Sequence, residues 1–530
     1  MLLALIRLIR TRWASVVVYL SELWGGLLSF TSATAIRALK PNTKVHEPEP
    51  EPEPEPETEA TGPAATAFLL DHQGFPLTTP EQDNKVIKAF IESLDTDAVC
   101  ALASRYNFGR PCRVAKRDNG SFNVCFFVEF DDDGPKWIVR VPIEPSLHKP
   151  WQKLLSEVAT VQYLERNTRI PVPHIRAYGR DAKLTKTGTG AQMFLISHLI
   201  PGKPLAKKDL FEAPEENRRK FYSQLIDILA ELRKLEFPSI GSLMPNPDGS
   251  LNPVLGPVMS MTANSFRQPL PIFTSAKDYM ARQFKIVEDQ YRPPVEDLSP
   301  GDFEHEVFAL HRLENYFCQV IDTNLENGPF VLHHLDLRSP NTIVDENLQI
   351  QGIIDWEFSG TVPLQLFTPP SWITAHDSAW TKEEMHAEFR GVLDDKSKTD
   401  SRCHLLRKEW YGQSDNDRSV IAKTDMAFCI AHVLRRPEDA HLIFYAFFAP
   451  KLYNVPIKDV KAEFFKENAV FAEEAQRRAD RSQKYTQYLK DHGLYVVNEK
   501  KLWLAKSKAF REKLEARDLK KKLERANAQD

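Results

Sequence analysis

The segment Phe330–Glu357, FVLHHLDLRSPNTIVDENLQIQGIIDWE, constrains this chain more than any other stretch. It opens with a short apolar strand, Phe330–His333. A polar loop follows from His334 through Asp336 to Asn341. Thr342–Val344 reads as a strand, Asp345-Glu346-Asn347 as a turn, and Leu348–Ile354 as the returning strand, with Asp355 just past its end. An antiparallel hairpin brings its two feet together. The pattern therefore predicts Asn341 and Asp355 as neighbours at the base of one rigid unit, beside the loop that carries Asp336.

Phosphoryl transfer needs such a unit. A nucleophilic hydroxyl must be positioned, its proton accepted, and Mg²⁺ held on the phosphates. Asp336 suits the first two tasks. Asn341 offers a neutral oxygen and Asp355 a charged one, and Mg²⁺ prefers hard oxygen ligands while keeping waters and phosphate oxygens around it.

A sheet is expected upstream. Phe122, Val124, Phe126, Val128 and Phe130 alternate with less apolar residues, after the turn signal Asp118-Asn119-Gly120 and a partner strand Cys112–Lys116. Lys136–Val141 reads as a third strand, with Trp137, Val139 and Val141 on one face and Ile138 and Arg140 on the other. A helix is expected from about Trp151 to Asn167, then strands near Ile175–Tyr178 and Met193–His198. Residues 82–105 read as one or two amphipathic helices before the sheet. Beyond Pro201 the chain reads as mainly helical, with a Pro-rich stretch over 238–300 that is either an insertion over a cleft or a long surface loop.

His334-x-Asp336-(x)₄-Asn341, followed by the apolar strand and Asp355, resembles the catalytic loop and metal-binding aspartate of the aminoglycoside phosphotransferase family. That family shares the protein-kinase-like fold and includes choline-kinase-like enzymes. The resemblance covers roughly residues 108–385, with helical family-like material to about 455, and is most like fungal members with an N-terminal extension. It implies an α+β, two-lobed fold with a small antiparallel-sheet N-lobe and a larger, mainly helical C-lobe. It also implies an ATP- and Mg²⁺-dependent kinase that moves the γ-phosphate to a hydroxyl of a small molecule. Asp336 is then the catalytic base, His334 a brace of the loop, and Asn341 and Asp355 the Mg²⁺ ligands. Arg140 and Glu157 form the pair at the α/β-phosphates. Gly120 and Ser121 lie in the phosphate loop, and backbone groups from His198 to Ile200 bind the adenine. The chain departs from protein kinases: it has no H-R-D loop, and Asp355-Trp356-Glu357 stands where D-F-G would. The alternative is a catalytically weak or inactive kinase-like binding or scaffold protein. All the expected polar roles are filled, which favours an active enzyme. Trp372, Trp380, His376 and Asp377 are candidates for an acceptor site, where an aromatic and acidic lining suits a cationic group. The competing reading places the tryptophans in the core.

The expected organisation is a targeting or membrane-associating segment at 1–45, a Glu-Pro-rich linker at 46–67, the N-lobe with its preceding helices at 68–205, the helical C-lobe at 206–455, and a charged helical extension at 456–530. Arg7, Arg10 and Arg12 precede an apolar run from Trp13 to Phe30, and no acid occurs before Glu22. That composition suits a mitochondrial presequence. A membrane span and a loosely docked terminal helix in a cytoplasmic protein are the alternatives. Five Glu-Pro repeats from Glu47 to Pro56 can form neither helix nor sheet and read as a stiff spacer. The run Lys520-Lys521-Lys522 reads as a solvated face. A net charge of −4 gives no general attraction to nucleic acid. Six scattered cysteines without metal-ligand spacing suggest free thiols in a reducing compartment. Oligomeric state leaves no mark on the sequence.

Overall fold

Thr79 and Pro80 begin the first helix of the described residues. The Thr79 hydroxyl accepts from the Gln82 amide, and the Gln82 side chain accepts from the Thr79 amide, so two donors that a helix start leaves orphaned are satisfied. The helix they open, α1 (Pro80–Ser93), is followed by α2 (Thr96–Tyr106), capped by Asp95. The protein is seen here as a computed structural model, which describes residues 70–131, 134–267, 269–376, 383–412 and 421–497. The expected N-terminal segment, the whole Glu-Pro-rich linker, Asp377, Trp380 and the Lys520–Lys522 run lie outside the described residues. Contacts divide the chain into two units, Met1–Pro293 with Glu306–Phe464, and Pro294–His305 with Phe465–Asp530.

In the first unit five antiparallel strands form one sheet. They are β1 (Cys112–Asn119), β2 (Asn123–Phe130), β3 (Lys136–Pro142), β4 (Ile175–Ala182) and β5 (Gln192–His198), in the order β1-β2-β3-β5-β4. Strand parity decides what each face does. Val124, Phe126 and Val128 on β2, with Trp137, Val139 and Val141 on β3, are buried with Val99 and Leu102 of α2. Fully burying one such side chain contributes about 1.5–3 kcal/mol. The other face, with Cys125, Phe127, Ile138 and Arg140, lines a cleft. Helix α3 (Pro150–Asn167) connects β3 to β4. One expectation shifts: β2 begins at Asn123, so Phe122 leaves the strand and its ring meets Phe358 edge-on at 5.0 Å.

The larger lobe is mainly helical. Helix α4 (Glu215–Arg233) buries Phe221, Leu225, Leu229 and Leu232, a stripe at helical spacing. The Pro-rich stretch is not a surface loop. It folds into a short hairpin, Ser242–Met244 with Val254–Gly256, and then α5 (Ala276–Gln290), which starts at a Ser275 cap and buries Tyr279, Met280, Gln283 and Phe284. Met261, Thr262 and Phe266 from this stretch line the cleft, which supports the insertion reading. Helices α6 (Glu383–Ser397) and α7 (Ser401–Tyr411) pack on each other and on α4, and α8 (Lys423–Arg435) follows.

Two small sheets carry the expected catalytic segment. Phe330–His333 pairs with Gly360–Pro363 and with Glu236–Phe237. Thr342–Val344 pairs with Ile350–Ile353 and with Lys203–Pro204, just beyond the link between the lobes. Gly202, in that link, has φ +119°, and a Cβ there would lie 2.5 Å from the Val344 carbonyl oxygen. Only glycine allows the link to lie so close to the hairpin.

The second unit is built on α9 (Ala469–Asp491). Its Thr486 hydroxyl accepts from the Asp297 amide at 3.0 Å, and its Ser482 hydroxyl accepts from the Leu298 amide at 3.3 Å. Among the described residues no helix is long and apolar enough to cross a membrane.

Candidate active site

The loop from His334 to Asn341 is held from within. His334 is buried, and its Nε2–H donates to the Ile354 carbonyl at 3.0 Å. Its Nδ1 accepts the Asp336 amide at 3.2 Å. Burial holds the imidazole below its ordinary pKa, so the ring is neutral and both nitrogens are committed to bracing. Asn341 Nδ2 donates to the Asp336 carbonyl at 2.8 Å. The Trp372 indole donates to the Leu337 carbonyl at 2.9 Å from outside the loop. Asp336 itself accepts from Arg338 Nε at 2.9 Å, and Arg435 Nη1 lies 3.8 Å from its other oxygen.

The predicted hairpin places Asp355 next to this loop. Thr342 is opposite Ile353, and the Ile354 amide donates to the Asn341 carbonyl at 2.9 Å. Asp355 has φ +67°, a left-handed conformation that aspartate tolerates better than most residues.

Charge concentrates here. Arg140 pairs with Glu157, as the sequence predicted, and also reaches Asp355 and Glu357 at 3.3 Å each. Three members of the network were not foreseen: Glu357, Lys153 and Asn123. Lys153, fully enclosed, pairs with Glu357, and Asn123 donates to the same carboxylate at 2.9 Å. Burial alone would raise the Glu357 carboxyl, but Lys153 and Arg140 hold it below its ordinary value. Asp355 goes the other way, pushed up first by burial and then by Glu357. For Arg140 burial disfavours the charge, yet Glu157, Glu357 and Asp355 outweigh it. A sequence signal for Lys153 existed, since it precedes Glu157 by one helical turn and shares its face.

Asn123, Arg140, Glu157, Asp355 and Glu357 line a cleft of about 760 Å³ between the sheet and the helical lobe, with Lys153 buried behind them. Gly120, Ser121 and Phe122 form one lip. Lys153 Nζ sits 5.7 Å from the Phe122 ring and 5.1 Å from the Phe358 ring, tying that lip to the segment that carries Asp355. His198, Leu199 and Ile200 line the same cleft. The Leu199 amide is spent on the Lys136 carbonyl and the His198 amide on the His174 carbonyl. The structure thus brings together Gly120, Ser121, Arg140, Glu157, His198, Ile200, Asp336 and Asp355 as lining, with Asn341 and His334 directly behind.

The two described acceptor candidates, Trp372 and His376, do not join them. Trp372 is buried and braces the loop through its indole, which is the core reading. His376 is buried against Phe428 and Phe447, and burial lowers its pKa to about 4. Neither residue lines the cleft, so an aromatic site for a cation is not built from them.

The donor set fits a divalent hard cation. The Asn341 amide nitrogen is engaged with Asp336, which leaves its oxygen as the group to offer. Asp355 is a carboxylate whose charge burial and Glu357 both oppose, and a bound cation would relieve that.

Comparison with known proteins finds several likenesses. Residues 116–365 match the phosphotransferase enzyme family, a span that holds Arg140, Glu157, Asp336, Asn341 and Asp355. Clavilactone A biosynthesis cluster protein Y of Ampulloclitocybe clavipes is 28% identical over 260 residues, covering 47% of this chain and 61% of that relative. Among solved structures, a candidate aminoglycoside phosphotransferase from Ralstonia eutropha is 14% identical, covers 74% of this chain and 99% of its own, and overlays with a TM-score of 0.41. A macrolide 2′-phosphotransferase from Brachybacterium faecium is also 14% identical, covering 67% of this chain and 98% of its own, with a TM-score of 0.34. Residues 116–365 are thus similar to the phosphotransferase enzyme family, and the chain spans about three-fifths of the length of the Ampulloclitocybe relative.

Proposed function

We propose that the chain transfers the γ-phosphate of ATP to a hydroxyl of a small molecule, with Asp336 as the base. The observation that carries this reading is the convergence of Asp336, Asn341 and Asp355 at one place in a cleft that also holds Arg140 and the His198–Ile200 link. In the step itself the acceptor oxygen bonds to the γ-phosphorus. The bond from that phosphorus to the bridging oxygen breaks, and ADP leaves with the electron pair. The acceptor proton passes to Asp336. His334 and Asn341 hold the loop so that this carboxylate needs no reorganisation at the moment of transfer. Asn341 and Asp355 would hold Mg²⁺, which when bound neutralises charge on the phosphates. Arg140, fixed by Glu157, supplies the guanidinium at the nucleotide phosphates. The Arg-rich segment before Trp13 supports a mitochondrial location.

Ligand and base separate in a binding experiment. Calorimetric titration of the full chain with ATP and Mg²⁺ should show binding lost in Asp355→Ala and kept in Asp336→Ala. Equal loss in both would sink the division of roles.

Arg140 gives a graded prediction. A guanidinium fork can serve a carboxylate and a phosphate at once, whereas an ammonium is a point charge on a different stem. Arg140→Lys should weaken Mg-ATP binding moderately. Arg140→Met should weaken it far more, because three carboxylates then lose a shared partner. An unchanged dissociation constant in Arg140→Met would remove Arg140 from the nucleotide site.

A further inference from the structure

The charges around the base point to the acceptor. Arg338 Nε donates to Asp336 at 2.9 Å, and Arg435 Nη1 stands 3.8 Å from the other carboxylate oxygen, with its side chain only 16% exposed. Arg436 lines the same end of the cleft and is held there by Glu438 at 3.1 Å and Asp439 at 3.4 Å. Two guanidiniums thus converge on one carboxylate where the acceptor hydroxyl must lie. A cationic acceptor would meet like charge at this point, which works against binding, while an anionic one meets complementary charge. Guanidinium forks also match the planar oxygens of a carboxylate or the tetrahedral oxygens of a phosphate in direction as well as charge.

A second cavity adjoins this place. It measures about 70 Å³ and shares Met261, Thr262 and Arg435 with the cleft. Ser260, Tyr279, Gln283 and Ser371 are among the residues of its wall. One water needs about 10–15 Å³ by this measure, so the space takes a handful of heavy atoms. That is the size of a hydroxylated arm and too small for a multi-ring compound.

We propose that the acceptor is a compact hydroxylated acid whose carboxylate or phosphate docks on Arg435 and Arg338, with its hydroxyl presented to Asp336. The proposal rests on the phosphotransferase reading above. The acceptor O–H oxygen bonds to the γ-phosphorus, the bridging P–O bond breaks with its electrons going to ADP, and the proton goes to Asp336. Arg435 acts by binding the acid group, with the nucleotide held elsewhere by Arg140.

The test uses the full chain with Mg-ATP and size-matched acceptors: glycerate and threonate, glycerol 1-phosphate, the neutral glycerol and threitol, and the cationic serinol. Phosphate transfer is read by ³¹P NMR and ADP release. Transfer to one or more of the acids, with glycerol, threitol and serinol left unmodified, is the expected result, and the carboxylate and phosphate arms tell the two anion types apart. Arg435→Gln should raise KM for the acid about 10- to 100-fold, the range for one charge-assisted contact, while KM for ATP moves less than about twofold. Arg435→Lys should restore part of the loss. Transfer to serinol or the neutral polyols alone overturns the proposal, as does transfer to none while Mg-ATP still binds. An Arg435→Gln effect on ATP instead of the acid also overturns it. Failure to bind Mg-ATP at all would instead overturn the kinase reading itself.

Discussion

Replacing Asp336 with asparagine is expected to lower kcat by about 10²- to 10⁴-fold, the range for losing a positioned general base, while Mg-ATP binding stays within a few-fold of wild type. Asparagine keeps the shape of the side chain, and the loop remains held by His334, by Asn341 on the Asp336 carbonyl and by Trp372 on the Leu337 carbonyl. What is lost is the carboxylate that takes the proton and the partner of Arg338. Steady-state kinetics with a responsive acceptor, alongside a nucleotide titration, reads both quantities. A parallel fall in nucleotide affinity would mean that the change had collapsed the loop, and the assignment of Asp336 as base would lose its support.

The second large effect is expected at Lys153. Its side chain is 2% exposed and that of its partner Glu357 is 4% exposed. Lys153→Met would leave Glu357 enclosed with only Arg140 at 3.3 Å and the Asn123 amide. Removing one partner of a buried ion pair typically costs about 3–5 kcal/mol. The remaining contacts favour the lower end of that range. Urea unfolding followed by circular dichroism measures it. The double variant Lys153→Met with Glu357→Gln should be more stable than the sum of the single losses predicts, because the stranded charge has been removed. Simple additivity would show that the two residues act independently. Lys153 also lies over Phe122 and Phe358, so the single variant should loosen the phosphate lip and raise KM for ATP.

The sequence was readable where chemistry and local geometry coincide. Asp336, Asn341 and Asp355 fall within one strand–loop–hairpin, so their proximity follows from pairing rules with no knowledge of the rest of the chain. Arg140 could be placed because strand parity separates it from Trp137, Val139 and Val141, and the next helix offers Glu157 on the facing side. Parity also carried the alternation of β2, up to the point where Phe122 turns away to meet Phe358 from the other lobe.

What escaped was long-range. Nothing near Lys153 in sequence announces Glu357, which meets it only when helix α3 folds over the end of the hairpin. Arg435, at the end of α8, reaches Asp336 through the packing of the helical lobe. Trp372 and His376 show the converse problem. An aromatic residue near a catalytic loop suits a pocket and a core equally, and only burial decides. The prolines between 238 and 300 mark breaks accurately, but between them α5 carries its own Ser275 cap and buried stripe.

Phosphorus itself reports on the transfer most directly. ³¹P NMR of the full chain with ATP, Mg²⁺ and a mixture of small hydroxylated acids should show the γ-phosphate signal of ATP fall while a phosphate-ester signal and ADP rise together, and Asp336→Asn should slow that exchange by about 10²- to 10⁴-fold. ATP that binds yet stays intact with every acceptor supplied would contradict the account, and would describe a nucleotide-binding module in place of an enzyme.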